Sequence, residues 1–131
     1  MNKKIILVDA VGCLVDNQGN VNFKIENLLK EYVNRKIVVT NADDTEKEIF
    51  LKNISYEYFT LKHNPNKENP EYFNKFLTSY DFKPDQLIYF EHDMDAVKSA
   101  QSQGITAHHF DGNLEKLKSF LNFNLKEESN L

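Results

Sequence analysis

The sequence holds a single cysteine, Cys13, among 131 residues. One thiol excludes an internal disulfide and suits a reducing compartment, so a cytoplasmic setting is the expectation. Long hydrophobic runs are missing too, and nothing approaches the roughly 18 apolar residues of a membrane span. The basic start, MNKKIILVDA, halts at an aspartate without a small-residue cleavage site, so a signal peptide is not expected. Positive charge is scarce: 16 basic residues face 20 acidic ones, for a net charge of −4. Without a Lys/Arg stripe, sequence-independent nucleic-acid binding is not expected. There is no internal repeat. What remains, 40% hydrophobic and 27% charged, is the profile of one soluble domain large enough for a single core.

The organising stretch is Lys4 to Asp16, KIILVDAVGCLVD. Four aliphatic residues, Ile5 to Val8, predict a buried central strand of a parallel sheet. The run ends at Asp9, and in open α/β sheets ligands bind beyond the carboxyl ends of the strands. Gly12 permits a tight turn beneath whatever binds there.

Downstream, strands and helices alternate. Apolar residues at helical spacing predict a helix over Phe23 to Val33, then a strand over Lys36 to Thr40. A helix follows to about Asn53, capped by Asn41, Asp43 or Asp44. A weaker strand runs from Tyr56 to Leu61. Asn69-Pro70-Glu71 starts a helix that buries Phe73, Phe76, Leu77 and Tyr80. A fourth strand, Leu87 to Phe90, runs into Glu91-His92-Asp93, where Asp93 caps a helix closed by Gly104. A fifth strand, Ile105 to His109, precedes a last helix opened by Asn113. The expected fold is a three-layer α/β/α sandwich around a mainly parallel five-stranded sheet. It forms one domain over 1–125, with a disordered tail over 126–131. Tyr56, Tyr58 and Phe59 read as core aromatics of the third strand, with an interface as the lesser option.

The strand ends and adjoining loops carry Asp9, Thr40-Asn41, Lys67 and Glu91-His92-Asp93. Singly these are turn caps, a strand threonine and a solvated lysine. Together they supply what phosphoryl transfer needs: a carboxylate nucleophile, a hydroxyl and amides for phosphate oxygens, a cation, and acids for Mg²⁺.

This arrangement resembles the haloacid dehalogenase-like (HAD) superfamily from Ile5 to about Leu121. VDAVGCLVD is similar to the strand followed by D-x-D-G-T-L-x-D. Val39 to Ala42 resembles the second motif, Lys67 to Phe73 the third, and Ile88 to Asp93 the fourth. The resemblance implies Asp9 as the nucleophile of an aspartyl intermediate, with Lys67 neutralising it. It implies Ala10, Val11, Thr40 and Asn41 at the substrate phosphate. It also implies Mg²⁺ held by Asp9 with Glu91 or Asp93. The segments after the first two motifs leave no room for a cap domain. Capless members act on large substrates or borrow a lid from a neighbouring subunit, which would make a homo-oligomer.

The departures carry as much information as the matches. The second aspartate of the first motif, which gives a proton to the leaving group, is Val11 here. Loss of a positioned acid costs about 10²–10⁴-fold in rate. The threonine after the glycine is Cys13, and no His within the motif lowers its pKa. In the fourth motif the acidic position falls on His92, a poor ligand for a hard ion, although a one-residue slip exchanges its role with Glu91 or Asp93. His92 is expected to be partly exposed rather than metal-bound. His108 and His109 do not make an obvious transition-metal site. Asp9-Ala10-Val11-Gly12 is similar to the metal-free dehalogenases, but the cap and the active-site arginine of those enzymes are absent, since Arg35 precedes the second strand. A phospho-accepting receiver is disfavoured because its paired acids would follow the first strand, where Ala10 stands. Two functions remain: an impaired Mg²⁺-dependent phosphatase using Asp9, and an inactive module binding a phosphorylated ligand or protein partner.

Overall fold

The computed structural model describes residues 3–125, and the tail expected over 126–131 lies outside them. Five strands form one sheet: β1 (Ile5–Asp9), β2 (Lys36–Thr40), β3 (Glu57–Thr60), β4 (Leu87–Glu91) and β5 (Thr106–His109). Their order is β3-β2-β1-β4-β5 and every pairing is parallel. The helices are α1 (Phe23–Leu29), α2 (Asp44–Phe50), α3 (Glu71–Tyr80), α4 (Met94–Ser102) and α5 (Leu114–Leu125), with a 3₁₀ turn at Pro84–Gln86.

Alternation along each strand divides the core. Ile6, Val8, Val38, Ile88 and Phe90 pack with Ile25 and Leu29 of α1 and Leu117 and Leu121 of α5. Ile5, Leu7, Ile37, Val39 and Tyr89 face the other way, onto Tyr72, Phe73 and Phe76 of α3 and Ala100 of α4. Both faces of β1 are thus covered, as its unbroken aliphatic run requires. Phe59 of β3 joins the second layer edge-on to Tyr72 and Phe76, while Tyr58 is exposed.

Caps set the helix starts. Asn22 accepts from the Lys24 and Ile25 N–H groups, and Asp43 with Glu46 closes a capping box on α2. Asn69 Oδ1 accepts from Glu71 N at 3.0 Å, and Asp93 Oδ1 from Asp95 N at 2.9 Å. Expected boundaries shift at two places. The helix expected to reach Val33 ends at Leu29, because tight turns from Glu31 N to Leu28 O and Tyr32 N to Leu29 O redirect the chain. The turn brings Tyr32 onto Asn122 of α5 and Asn34 onto the Lys4 carbonyl, and leaves Val33 82% exposed. The helix expected to reach Asn53 ends at Phe50. No helix among the described residues is long and apolar enough to cross a membrane.

Chain order reverses across β1. The chain moves outward through β2 and β3, then returns to the far side of β1 with β4. The crevice beyond the carboxyl ends of β1 and β4 is the switch point where ligands bind in such sheets. Asp9 and Glu91 are the last residues of those two strands.

Candidate functional site

Asp9 and Glu91 are almost fully buried, as is Lys67 from the loop before α3. Charges in such a place persist only when paired. Lys67 Nζ donates to Asp9 Oδ1 at 2.6 Å, to Glu91 Oε1 at 2.7 Å and to the Val39 carbonyl at 3.3 Å. The loop that carries it is pinned at two points: Lys67 N donates to Asn41 Oδ1 at 2.7 Å, and Ser99 Oγ to the Glu68 carbonyl at 2.6 Å. The ammonium therefore sits between the two central strands, with all three of its protons placed.

A second cation completes the group. His92 Nδ1 lies 2.6 Å from Asp9 Oδ2 and 3.1 Å from Glu91 Oε2. Its ring is seated over Gly12, where a Cβ would approach Nδ1 to 2.4 Å; Gly12 also has a φ of +100°, which L side chains rarely adopt. The His92 carbonyl accepts from His109 Nε2 at 2.8 Å. Glu91 in addition accepts from the Tyr89 hydroxyl and from Asp93 N. Every oxygen of Asp9 and Glu91 is therefore engaged, with two anions facing two cations.

The electrostatics follow from these contacts. Burial pushes the Asp9 carboxyl up, against the pull of Lys67. Burial also opposes the Glu91 charge, but Lys67 and His92 outweigh it and hold that carboxyl well below the usual range. Burial likewise opposes the Lys67 charge, and the two carboxylates override it and raise the ammonium above its ordinary value. His92 is pushed up to about 10 by its hydrogen bonds to Asp9 and then Glu91. At neutral pH the imidazole is thus a cation. A raised imidazole value stabilises the fold fully below the ordinary 6.5, and that contribution is lost as pH rises through about 10. Wild type is therefore expected to lose stability between about pH 6 and about pH 11 relative to His92→Asn. Urea melts of both proteins at the two pH values check this; parallel loss in both would contradict it. Burial leaves the Cys13 thiol raised far above its ordinary value, which makes it inert as a nucleophile.

Above this floor opens a cleft of about 240 Å³, lined by Val11, Thr40, Asn41, His63 and Glu68 among others. Thr40 is fixed from below: its N–H donates to the Tyr72 hydroxyl at 3.0 Å, whose single proton lies between the Thr40 and Phe59 carbonyls at 2.8 and 3.0 Å. The Thr40 hydroxyl accepts from Ala42 N at 3.2 Å, leaving its proton for a ligand. At the rim, the neighbouring carboxyls shift apart, Glu68 pushed up by Asp93 and by burial and Asp93 held down by Glu68. His63 pairs with Glu46, which raises the imidazole. Ala10 is buried beneath the cleft, and its carbonyl accepts from Cys13 N and Val15 N.

The Mg²⁺ ion that the resemblance implies does not fit these residues as arranged. Mg²⁺ takes oxygen ligands at about 2.0–2.1 Å in an octahedron. Here His92 Nδ1 bridges the two oxygens, Asp9 Oδ2 and Glu91 Oε2, that an ion between β1 and β4 would need. Asp93 is turned to cap α4, its Oδ1 accepting from Asp95 N at 2.9 Å. Two groupings of described residues could close on an ion, Asp9 with Cys13 and His92 and Asp43 with Glu46 and His63. Neither is an all-oxygen set.

Comparison with known proteins rests on the fold. No family profile matches the sequence, and no curated protein matches it. Solved structures do. A HAD family enzyme from Bacteroides thetaiotaomicron, in complex with magnesium and inorganic phosphate, superposes with a TM-score of 0.64 at 13% identity, covering 86% of this chain and 96% of that one. The chain has the haloacid dehalogenase-like fold. The core domain of a Streptococcus pneumoniae protein assigned as a phosphoglycolate phosphatase gives 0.60 at 20% identity over 92% of this chain and 96% of that one. An uncharacterised protein from Corynebacterium glutamicum gives 0.66 at 12% identity, over 94% and 96%. These likenesses extend over 86–94% of this chain.

Within the HAD-like frame, Asp9, Thr40, Asn41, Lys67 and Glu91 converge on one crevice, with Val11 on its wall. His92 was legible only as a substituted position. Its contact with Asp9 was not, because a one-residue slip at the end of β4 exchanges which side chain turns inward. The hydroxyl roles of Tyr72 and Tyr89 carried no signal in the sequence.

Proposed function

We propose that this HAD-fold domain binds a phosphorylated ligand in its cleft without hydrolysing it. The observation that supports this most is the double engagement of Asp9, with Lys67 Nζ on Oδ1 and His92 Nδ1 on Oδ2, each at 2.6 Å. Both oxygens of a nucleophile so held are tied to nitrogen donors, which weakens either one for attack on phosphorus. Val11 adds a second defect, since no acid stands ready to protonate a leaving group. Binding is a different matter. A dianion meeting an unpaired carboxylate would face about 4 kcal/mol of repulsion per charge pair at about 4 Å and an effective dielectric near 20. The paired floor removes that penalty: the charges of Asp9 and Glu91 are balanced by Lys67 and His92. The Thr40 hydroxyl and the Asn41 segment remain to meet phosphate oxygens.

A second reading, a slow phosphatase acting through Asp9, has one observation in its favour, the Lys67–Asp9 contact that such chemistry uses. A panel of phosphomonoesters at millimolar Mg²⁺ separates the two. The expected result is saturable binding by thermal shift with no phosphate release above the Asp9→Asn background. Release that depends on Asp9 would overturn the binding reading and favour the enzyme. The physiological ligand, and a second subunit as lid, are parts of this proposal that the same panel and a sizing measurement would address.

A further inference from the structure

We propose that the His92 ring stands in the divalent-ion position of this site and keeps it closed to metal. The inference deepens the reading of a non-hydrolysing cleft and rests on it. Three observations converge. First, His92 Nδ1 is shared between an oxygen of Asp9 and an oxygen of Glu91, at 2.6 and 3.1 Å, on the two central strands flanking the switch point. A divalent ion bridging β1 and β4 would take the same two oxygens. Second, the ring's seat is built. Gly12 leaves room for the ring, since a Cβ there would come within 2.4 to 2.7 Å of three ring atoms. His109 Nε2 holds the His92 carbonyl at 2.8 Å. Third, the ring is about half exposed on the cleft wall, and its Nε2 has no partner among the described residues. The ring thus presents Nε2 to a ligand where an ion would offer an open coordination position.

Geometry explains why one replaces the other. Lys67 Nζ takes one oxygen of each carboxylate, Asp9 Oδ1 and Glu91 Oε1, and His92 Nδ1 takes the other two, Asp9 Oδ2 and Glu91 Oε2. A divalent ion would have to displace a ring held by its own backbone and by two carboxylates. Replacing the ring with a carboxylate inverts the balance, leaving three acids against one lysine.

The test is binding of Mn²⁺ alone, as a paramagnetic Mg²⁺ analogue, followed by electron paramagnetic resonance. Wild type and the His92→Asp, His92→Asn and Asp9→Asn/His92→Asp variants are compared, with circular dichroism as the check on folding. His92→Asp is expected to bind one Mn²⁺ at least tenfold more tightly than wild type. His92→Asn is expected to gain less, and the double variant to lose the gain. Should His92→Asp not fold, His92→Ser opens the same position without added charge and is expected to gain Mn²⁺-induced broadening of signals near Asp9. Wild type binding Mn²⁺ as tightly as His92→Asp would overturn the inference. So would a folded variant that gains nothing. The outcome is separable from the functional reading: a folded His92→Asp that takes no Mn²⁺ sinks the inference even when wild type releases no phosphate. Asp9-dependent release by wild type sinks the functional reading whatever the variants bind.

Discussion

Replacing Lys67 by methionine is expected to cost about 3–5 kcal/mol of stability at neutral pH, the loss that follows when one member of a buried ion network is removed. For a domain of this size that is a fall of about 10–15 °C in melting temperature. Methionine fills much the same volume, so the loss is electrostatic rather than a cavity effect. Lys67 is 6% exposed, and its Nζ touches both Asp9 and Glu91 at 2.6 and 2.7 Å. Without it, two buried carboxylates face each other with His92 as sole counter-charge. Their pKa values then rise above those of the unfolded chain, so the deficit is present above the ordinary carboxylate range and shrinks as pH falls through it. Thermal melts of both proteins at about pH 8 and about pH 4 check this. A deficit that grows toward acid, or one below about 1 kcal/mol at neutral pH, would mean the cluster is not held together by Lys67.

The second large effect is at Glu91, and its sign is diagnostic. Glu91→Gln is expected to destabilise by about 3–5 kcal/mol. The carboxylate is fully buried and accepts from Lys67 Nζ, Asp93 N, the Tyr89 hydroxyl and His92. An amide has one oxygen, so its NH₂ must face donors on one side and Lys67 loses an anion on the other. In a site held open for an ion, by contrast, two carboxylates repel and removing one stabilises the fold, as is common where stability is traded for activity. Because Lys67 and His92 hold the Glu91 carboxyl well below the usual range, its contribution is present above that range and lost as pH falls. The gap between wild type and Glu91→Gln should therefore narrow in acid. Chemical denaturation of the two proteins decides it: a stabilised variant would contradict the closed ion network described here.

Much of this architecture could be seen in the chain before any coordinates. The aliphatic run from Ile5 to Val8 has one physical outcome, a strand buried on both faces, and burial of all of β1 follows from it. Asn69-Pro70-Glu71 and Asp93 marked helix starts because caps are local chemistry. The end of α1 was not legible, because the turn after Leu29 is paid for by tertiary contacts, Tyr32 with Asn122 and Asn34 with Lys4, that periodicity cannot foresee. The site divides the same way. The positions of Asp9, Thr40, Lys67 and Glu91 at one sheet edge followed from motif order. The coupling of His92 to Asp9 did not, because it needs the register of the β4 end and a ring-sized space over Gly12. Glu91 was the hardest residue to interpret. It continues the period-two pattern of Leu87 and Tyr89 into the core, a direction in which a carboxylate is tolerated only because Lys67 reaches it.

The measurement that bears most directly on the account is fluorine NMR of the protein with beryllofluoride, with and without millimolar Mg²⁺, and with Asp9→Asn as control. Beryllofluoride reports an aspartate able to accept a phosphoryl group, whatever the physiological ligand. The closed carboxylate of Asp9 predicts no bound signal in either condition. A bound signal that requires both Mg²⁺ and Asp9 would mean that the nucleophile and its metal site are open, and would contradict the account.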